Sequence, residues 1–457
     1  MTQGRRLTLA LIVLDVASVV VAFNFFTWVR VGGPSYMPIF GPLLLPIVMH
    51  FLAVYLIDGY NLRTDMMSVN YTSLHSIALS FVLLFTLLLT YVFIPAGYPL
   101  QVSRFVTTGA CLLLIPLTLS YRRVFYQSQQ AKKQQRYFLF LGSPESCQAF
   151  KEECRKTGMT QSVLYATHAS FISDAPLEPD ISAPPFGDVN YYLKEYESSI
   201  DAIILRESSK DLPVQVAQRL MDLHFSGVPT YTLELFHELY WRKIPLYRLN
   251  QTWLFQDGFQ IAREPVFERM KRVSDLALAS FGLLCTLPLL PFVAALIWLQ
   301  DRGPIFFHQP RVGKNRKIFN IVKLRTMRVD NGTGDAYTAV GDRRITPVGQ
   351  FLRNTRLDEV PQLWNVIRGD MSLIGPRAEW VRLVEGYEKE IPCYHFRHLV
   401  KPGITGWAQI NYPYGANLED TKRKLEYDLY YIRYFSFTLD ASIVLKTIHV
   451  MLFGKGR

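Results

Sequence analysis

Two neighbouring acids, Asp358 and Glu359, sit in the stretch RLDEVPQLWNVIRGDMSLIGPRAE, residues 356–379. A third acid, Asp370, follows, and then Arg377 and Glu379. Upstream, Lys323 and Arg325 lie two residues apart in KIFNIVKLRTM. That run reads as a strand, so the two cations are expected on one face. Downstream, EYDLYYIRYFSFTLDASIVLKTI (426–448) holds Asp428 and Asp440 in what reads as an aromatic, amphipathic helical region lying along a membrane. Carboxylates and cations in this company suit a phosphorus centre. Two or three carboxylates hold a Mg2+, which neutralises a diphosphate. Cations stabilise the charge that moves during phosphoryl transfer. A carboxylate can also attack phosphorus itself and form an acyl phosphate.

The local elements set the acids in place. Pro361 has no N–H and fits only the first turn of a helix. Leu363, Trp364, Val366 and Ile367 supply an apolar face, and Gly369 is a natural stop. Asp358 and Glu359 therefore lie at or near a helix N-terminus, where free N–H groups keep carboxylates ionised and welcome phosphate. On this stretch alone, an ordinary N-cap is the leading reading of Asp358. KPGITGWAQINY (401–412) reads as a Gly- and Pro-rich loop beside aromatics.

The 457-residue chain is 49% hydrophobic and 19% charged, with a formal net charge of +11. So few charges point to membrane segments. The positive balance suits a lipid surface or a phosphate-bearing substrate, and no recognition motif supports nucleic acid. The five cysteines (111, 147, 154, 285 and 393) form no CxxC pair, and no HExxH occurs among the histidines. A cytosolic setting is expected for the soluble parts.

Four apolar stretches, near 7–29, 38–57, 74–94 and 104–121, each approach the length of a bilayer crossing. Arg5, Arg6, Arg63, Arg122, Arg123, Lys132 and Lys133 mark one side, against Arg30 and Arg104 on the other. Both ends of the bundle are thus expected in the cytoplasm. Asp15, inside the first stretch, is either functional or a bundle-facing contact.

Residues 136–156, 201–207 and 212–233 alternate strand and helix, which implies a doubly wound parallel sheet. Gly142 follows the first strand without the rest of a dinucleotide fingerprint, so a structural or oligomerising role is preferred to nucleotide binding. The Pro-rich run at 175–188 reads as a surface connection. A second apolar segment, 274–301, carries Pro288 and Pro291 in its middle and basic residues on both flanks. A re-entrant, proline-bent helix satisfies both facts; a plain fifth span is the alternative.

The segment 266–457 closely resembles the bacterial sugar transferases, the monotopic phosphoglycosyl transferases. KLRTM (323–327), LDEVPQLWNVIRGDMSLIGPR (357–377), KPGITGWAQIN (401–411) and the Asp428/Asp440 tail carry the likeness. The architecture of 1–265 resembles the large polyprenyl-phosphate hexose-1-phosphate transferase branch. The resemblance implies a multidomain membrane protein: a four-helix transmembrane bundle (1–125), a Rossmann-like α/β domain (135–250), and an α+β catalytic domain (266–457) anchored by a re-entrant helix near 274–299. It implies that Asp358 attacks the sugar-bearing phosphate of a UDP-sugar, with glucose or galactose as the sugar. UMP then leaves, and undecaprenyl phosphate takes the sugar phosphate from the aspartate, initiating exopolysaccharide, capsule or O-antigen synthesis. Glu359 assists as metal ligand or by handling the acceptor's proton. Lys323, Arg325 and Arg377 hold phosphates, and Asp440 joins Asp358 and Glu359 around Mg2+, with Asp428 as the fallback. Asp370 and Glu379 are further candidates. The expected place is the bacterial inner membrane with the catalytic domain on the cytoplasmic face. A homodimer and downstream glycosyltransferases are candidate partners, and no nucleic acid is expected. Ala378 departs from the family's Pro-Arg-Pro. A non-covalent transferase, a membrane scaffold without catalysis and a polytopic transporter are the rival readings.

Overall fold

The computed structural model describes residues 3–31, 42–61, 64–94, 103–133, 136–159, 161–167, 187–206, 212–246, 265–328, 344–412 and 417–453. The chain divides into two compact units. One comprises Met1–Thr64, Ser68–Thr118 and Pro245–Arg457; the other comprises Asp65–Met67 and Leu119–Ile244.

The N-terminal helices are α1 (Gln3–Val31), α2 (Leu44–Leu56), α3 (Val69–Leu88) and α4 (Arg104–Lys133). Three segments, Arg6–Arg30, Val69–Phe93 and Arg104–Ser128, are long and apolar enough to cross a membrane. They are the helices of a membrane protein. The second apolar stretch behaves differently from the others. Its helix has 13 residues, short of the roughly 20 a crossing takes. Pro46 in the first turn marks where such a helix can start, and residues 38–41 lie outside the described ones. Asp15 is buried, accepts a hydrogen bond from Tyr60 Oη at 2.6 Å and lies 3.4 Å from His50 Nε2. Of its two readings, a bundle-facing contact matches this placement.

The middle unit holds β1 (Tyr137–Leu141), α5 (Pro144–Thr157), β2 (Val163–Thr167), β3 (Gly187–Asp188), α6 (Val189–Glu195), β4 (Ile200–Leu205), α7 (Val214–Phe225), β5 (Thr230–Thr232) and α8 (Leu233–Phe236). All five strands are parallel, in the order β3-β2-β1-β4-β5. Helices pack on both faces, which is why β1 and β2 read as short buried apolar runs rather than as alternating ones. Ser143 caps α5 by accepting from Ser146 N, and Gly158 ends it in a left-handed conformation. The Pro-rich run lies outside the described residues as far as 186.

The C-terminal segment opens with α9 (Pro265–Thr286) and α10 (Leu290–Asp301), bent by 62° across a short break. Pro288 falls in the break and Pro291 in the first turn of α10, so neither costs a helical hydrogen bond. An antiparallel hairpin follows, β6 (Phe306–Val312) and β7 (Ile318–Leu324). Then come α11 (Pro347–Thr355), α12 (Gln362–Arg368), β8 (Ser372–Ile374), α13 (Val381–Glu390), β9 (Gly403–Thr405), α14 (Trp407–Asn411), α15 (Leu418–Arg433) and α16 (Phe437–Phe453). Val366 and Met371 pack with Phe319, Ile321 and Ala279, joining α12 to β7 and α9. Within the same unit α16 meets α3, where Ser73 Oγ lies 3.0 Å from His449 Nδ1.

Three local expectations change. Trp364 is half exposed while Val366 is fully buried, so the apolar face of α12 is narrower than its sequence suggests. Residues 401–412 form strand β9 and short helix α14 rather than one loop. The region 426–448 is two helices broken near Ser436, and Asp428 and Asp440 both point inward, 2% and 7% exposed. Buried carboxylates here need partners, which the amphipathic pattern alone does not reveal.

Candidate active site

The acid pair occupies a tight 3-10 turn, Leu357–Glu359, between α11 and α12. Arg356 enters the turn with φ 59°, in the left-handed region. For a bulky residue this is an uncommon, strained conformation. It stops α11 and redirects the chain just before Asp358. The first residue of α12 is preceded by Pro361, and no side chain caps it. Asp358 is therefore not an N-cap.

Two packing devices fix the turn. Asn365, fully buried on α12, accepts from Val322 N at 3.0 Å through its Oδ1 and donates to Asn320 O at 2.8 Å through its Nδ2. One side chain thus pins α12 to β7, and with it the spacing of Glu359 from Lys323. At the other end, a Cβ on Gly349 would stand 2.0 Å from Thr326 O. Only glycine lets α11 approach the end of the hairpin so closely.

Within this frame Lys323 Nζ donates to Glu359 Oε1 at 2.8 Å, and Arg377 Nη1 lies 3.8 Å from the same oxygen. Burial alone would raise the Glu359 carboxyl, but Lys323 and Arg377 outweigh it and bring it down to about 2. On Lys323 burial wins, and its ammonium is pushed below its ordinary value despite Glu359. Asp358 is 9% exposed, and its Oδ1 is buried with no hydrogen-bond partner. Burial pushes its carboxyl up, and Glu359 adds to this; Lys323, Arg353 and Arg356 oppose without reversing it. The site thus holds one carboxylate locked in ion pairs and one with a buried, unpartnered oxygen beside cations.

The bacterial sugar transferase profile matches residues 266–454. The UDP-N-acetylgalactosamine-undecaprenyl-phosphate N-acetylgalactosaminephosphotransferase of Aeromonas hydrophila is 36% identical over 277 residues, 60% of this chain and 62% of its own length. The UDP-glucose:undecaprenyl-phosphate glucose-1-phosphate transferase of Escherichia coli K12 is 43% identical over 182 residues, 39% of each chain. The exopolysaccharide production protein PSS of Rhizobium leguminosarum is 41% identical over 186 residues, 39% of this chain and 93% of its own. The chain belongs to the bacterial sugar transferase family. It spans less than two thirds of the length of the Aeromonas and E. coli relatives, 62% and 39%.

The remaining candidates of this family member are placed as follows. Arg325 stands just past the end of β7, and its guanidinium packs against Gly303, where a Cβ would come within 2.5 Å of it. It does not share Lys323's contact with Glu359. Asp370 pairs with Arg368, whose Nε is 3.3 Å away. Glu379 lies 3.9 Å from Arg311 and 3.8 Å from Arg397. Asp428 pairs with Arg397 at 2.9 Å. Its carboxyl is raised to about 6 by burial, with Arg397 opposing. Asp440 is taken by Lys271 and by Tyr431 Oη, the latter at 2.8 Å. Among the described residues no three His, Cys, Asp or Glu side chains converge on one point. The structure therefore does not bring Asp440 to Asp358 and Glu359.

Three residues of the site's surroundings were not singled out from the sequence. Arg353 and Arg356 precede the acids in LRNTRLDE, and that charge spacing was the available signal. Arg397 carries no local cue, because apart from nearby Tyr394 its partners come from two other places in the chain, Arg377 with Glu379 and Asp428.

Proposed function

We propose that this protein transfers a sugar-1-phosphate from a UDP-sugar to undecaprenyl phosphate, releasing UMP, as the first step of building an exopolysaccharide or related surface polymer. The observation that carries the reading is the buried, unpartnered Oδ1 of Asp358 beside the Lys323–Glu359–Arg377 cluster. A nucleophilic carboxylate needs an unengaged lone pair and cations nearby to receive a diphosphate.

In this mechanism Asp358 Oδ1 attacks the phosphorus that bears the sugar. The new O–P bond forms as the bond to the bridging oxygen breaks. That oxygen leaves with the electron pair on UMP. Lys323 and Arg377 hold the phosphate oxygens as the charge moves. An oxygen of undecaprenyl phosphate then attacks the same phosphorus and displaces Asp358, which is regenerated. Glu359, held at about 2, is a weak base. It therefore serves to hold Lys323 and Arg377 in place, and the acceptor phosphate, with a second pKa near 6, arrives without that proton.

Mg2+ is usually held by one or two carboxylates together with substrate phosphates. The adjoining carboxylates of Asp358 and Glu359 would supply such a donor set through oxygens other than the attacking Asp358 Oδ1 and the Lys323-bound Glu359 Oε1. When bound there, the ion would neutralise charge on the diphosphate. Asp440, engaged by Lys271 and Tyr431, is not counted among its ligands.

We further read α9–α10 as a re-entrant hairpin, with α2 as the fourth member of the N-terminal bundle. The 62° bend and the cations on both flanks support the first part. The catalytic segment then faces the cytoplasm of a bacterial inner membrane. The test is UMP release from a panel of UDP-glucose, UDP-galactose and UDP-N-acetylgalactosamine, with undecaprenyl phosphate and Mg2+. Wild type should release UMP from one of them, and Asp358→Asn from none. A folded wild type inert on all three would remove the UDP-hexose reading.

A further inference from the structure

The loop carrying Arg377 is held by a buried side chain that the mechanism above leaves unused. Arg397 lies in the turn Tyr394–Leu399 and is 6% exposed. Its Nη2 donates to the backbone carbonyl of Arg377 at 3.0 Å and lies 2.9 Å from Asp428 Oδ2. Its Nη1 donates to Tyr394 Oη at 2.5 Å and lies 3.8 Å from Glu379.

A buried guanidinium is costly unless fully paired. Neutralising Asp428 explains part of this arrangement, but it does not require a bond to one particular backbone carbonyl. That carbonyl belongs to the residue whose own guanidinium reaches Glu359. On the other side of the same residue, Gly403 N donates to Pro376 O at 2.9 Å. The peptides before and after Arg377 are thus both tied down, one by β9 and one by Arg397. The planar guanidinium suits this task, because its donors diverge in fixed directions, whereas a lysine presents a single nitrogen.

We propose that Arg397, anchored on Asp428, is a positioning residue that sets Arg377 against the substrate diphosphate. This rests on the phosphate role given to Arg377 above. Arg397 touches no reacting atom; it acts through the loop.

The test is a double-mutant cycle read by UDP affinity rather than by turnover, using the full chain in detergent with Mg2+ and calorimetry. Arg377→Ala and Arg397→Lys should each weaken UDP by about tenfold, a clear change of about 1.4 kcal/mol. The double variant should bind no more weakly than Arg377→Ala, since Arg397 works only through that residue. A purely structural role predicts otherwise: Arg397→Lys would weaken UDP by the same factor with or without Arg377, or would leave its affinity unchanged. Either result overturns the proposal. Arg377→Ala binding UDP as tightly as wild type would sink the phosphate role itself, a failure visible in the single variant. Should Arg397→Lys not fold, Asp428→Asn replaces it in the same cycle, keeping the anchor's shape without its charge.

Discussion

At the scale of single residues, the two neighbouring acids have opposite circumstances. Glu359 is locked between Lys323 and Arg377; Asp358 keeps a free oxygen. The pairing of Glu359 has a thermodynamic consequence. Its carboxyl falls from 4.5 to about 2 on folding. A lowered carboxyl contributes stability above its unfolded value and loses it as pH falls through its folded value. At about 1.4 kcal/mol per pH unit, this contribution is about 3 kcal/mol. Glu359→Gln should therefore be less stable than wild type by about that much near neutrality. The gap should close between pH 4.5 and about 2. Unfolding midpoints of both proteins across this range check it; a gap that stays constant to pH 2 would contradict the ion-pair account.

The acids, Lys323 and Arg377 each stand out in the sequence as a charge among apolar or Pro/Gly neighbours, while the roles expected of Glu359 and Arg377 came from the resemblance to the family. Asp440 stood out too, but its partner Lys271 is 169 residues away. The pairing that withdraws it from the acid pair exists only in the fold. Arg397 is the converse case, an undistinguished residue given its place by Arg377, Tyr394 and Asp428.

At the scale of elements, the site depends on register between β7 and α12. Asn365 sets that register with two hydrogen bonds from one buried amide. Asn365→Ala removes both and leaves Val322 N and Asn320 O without these partners, at a cost of about 1–3 kcal/mol. UMP release should fall further than the lost stability explains, because Lys323 and Glu359 move apart. Thermal unfolding and turnover measured on the same preparation separate the two effects. Undiminished turnover per folded molecule would show that the register does not matter. Among the elements, α12 was legible from Pro361 and Gly369. The break between α15 and α16 was not: YYIRYFSF contains neither glycine nor proline, and Ser436 makes the turn by accepting from Leu439 N at 3.2 Å. Strand β2 escaped notice because five residues buried on both faces show no alternation.

At the scale of the whole molecule, the 62° bend in α9–α10 carries the question of sidedness. Four N-terminal apolar segments were visible from composition, but a 13-residue helix at the second shows that an apolar run is not yet a span. For the hairpin, Arg269 and Lys317 flank the apolar pair and are both exposed. Single cysteines placed at these two positions in a cysteine-free background should react with an impermeant maleimide from the same side of sealed vesicles. Labelling from opposite sides would make the hairpin a span and move the catalytic segment across the bilayer from its N-terminal flank.

The central claim is that Asp358 becomes covalently attached to the sugar phosphate. The most direct measurement omits undecaprenyl phosphate and incubates the enzyme with UDP-sugar labelled in the sugar, using whichever sugar supports UMP release. UMP should appear in amounts no greater than the enzyme, with label retained on the peptide containing Asp358, and both should be lost in Asp358→Asn. If UMP appears only when the lipid acceptor is present and no label stays on the protein, transfer is direct and the nucleophilic role of Asp358 is wrong.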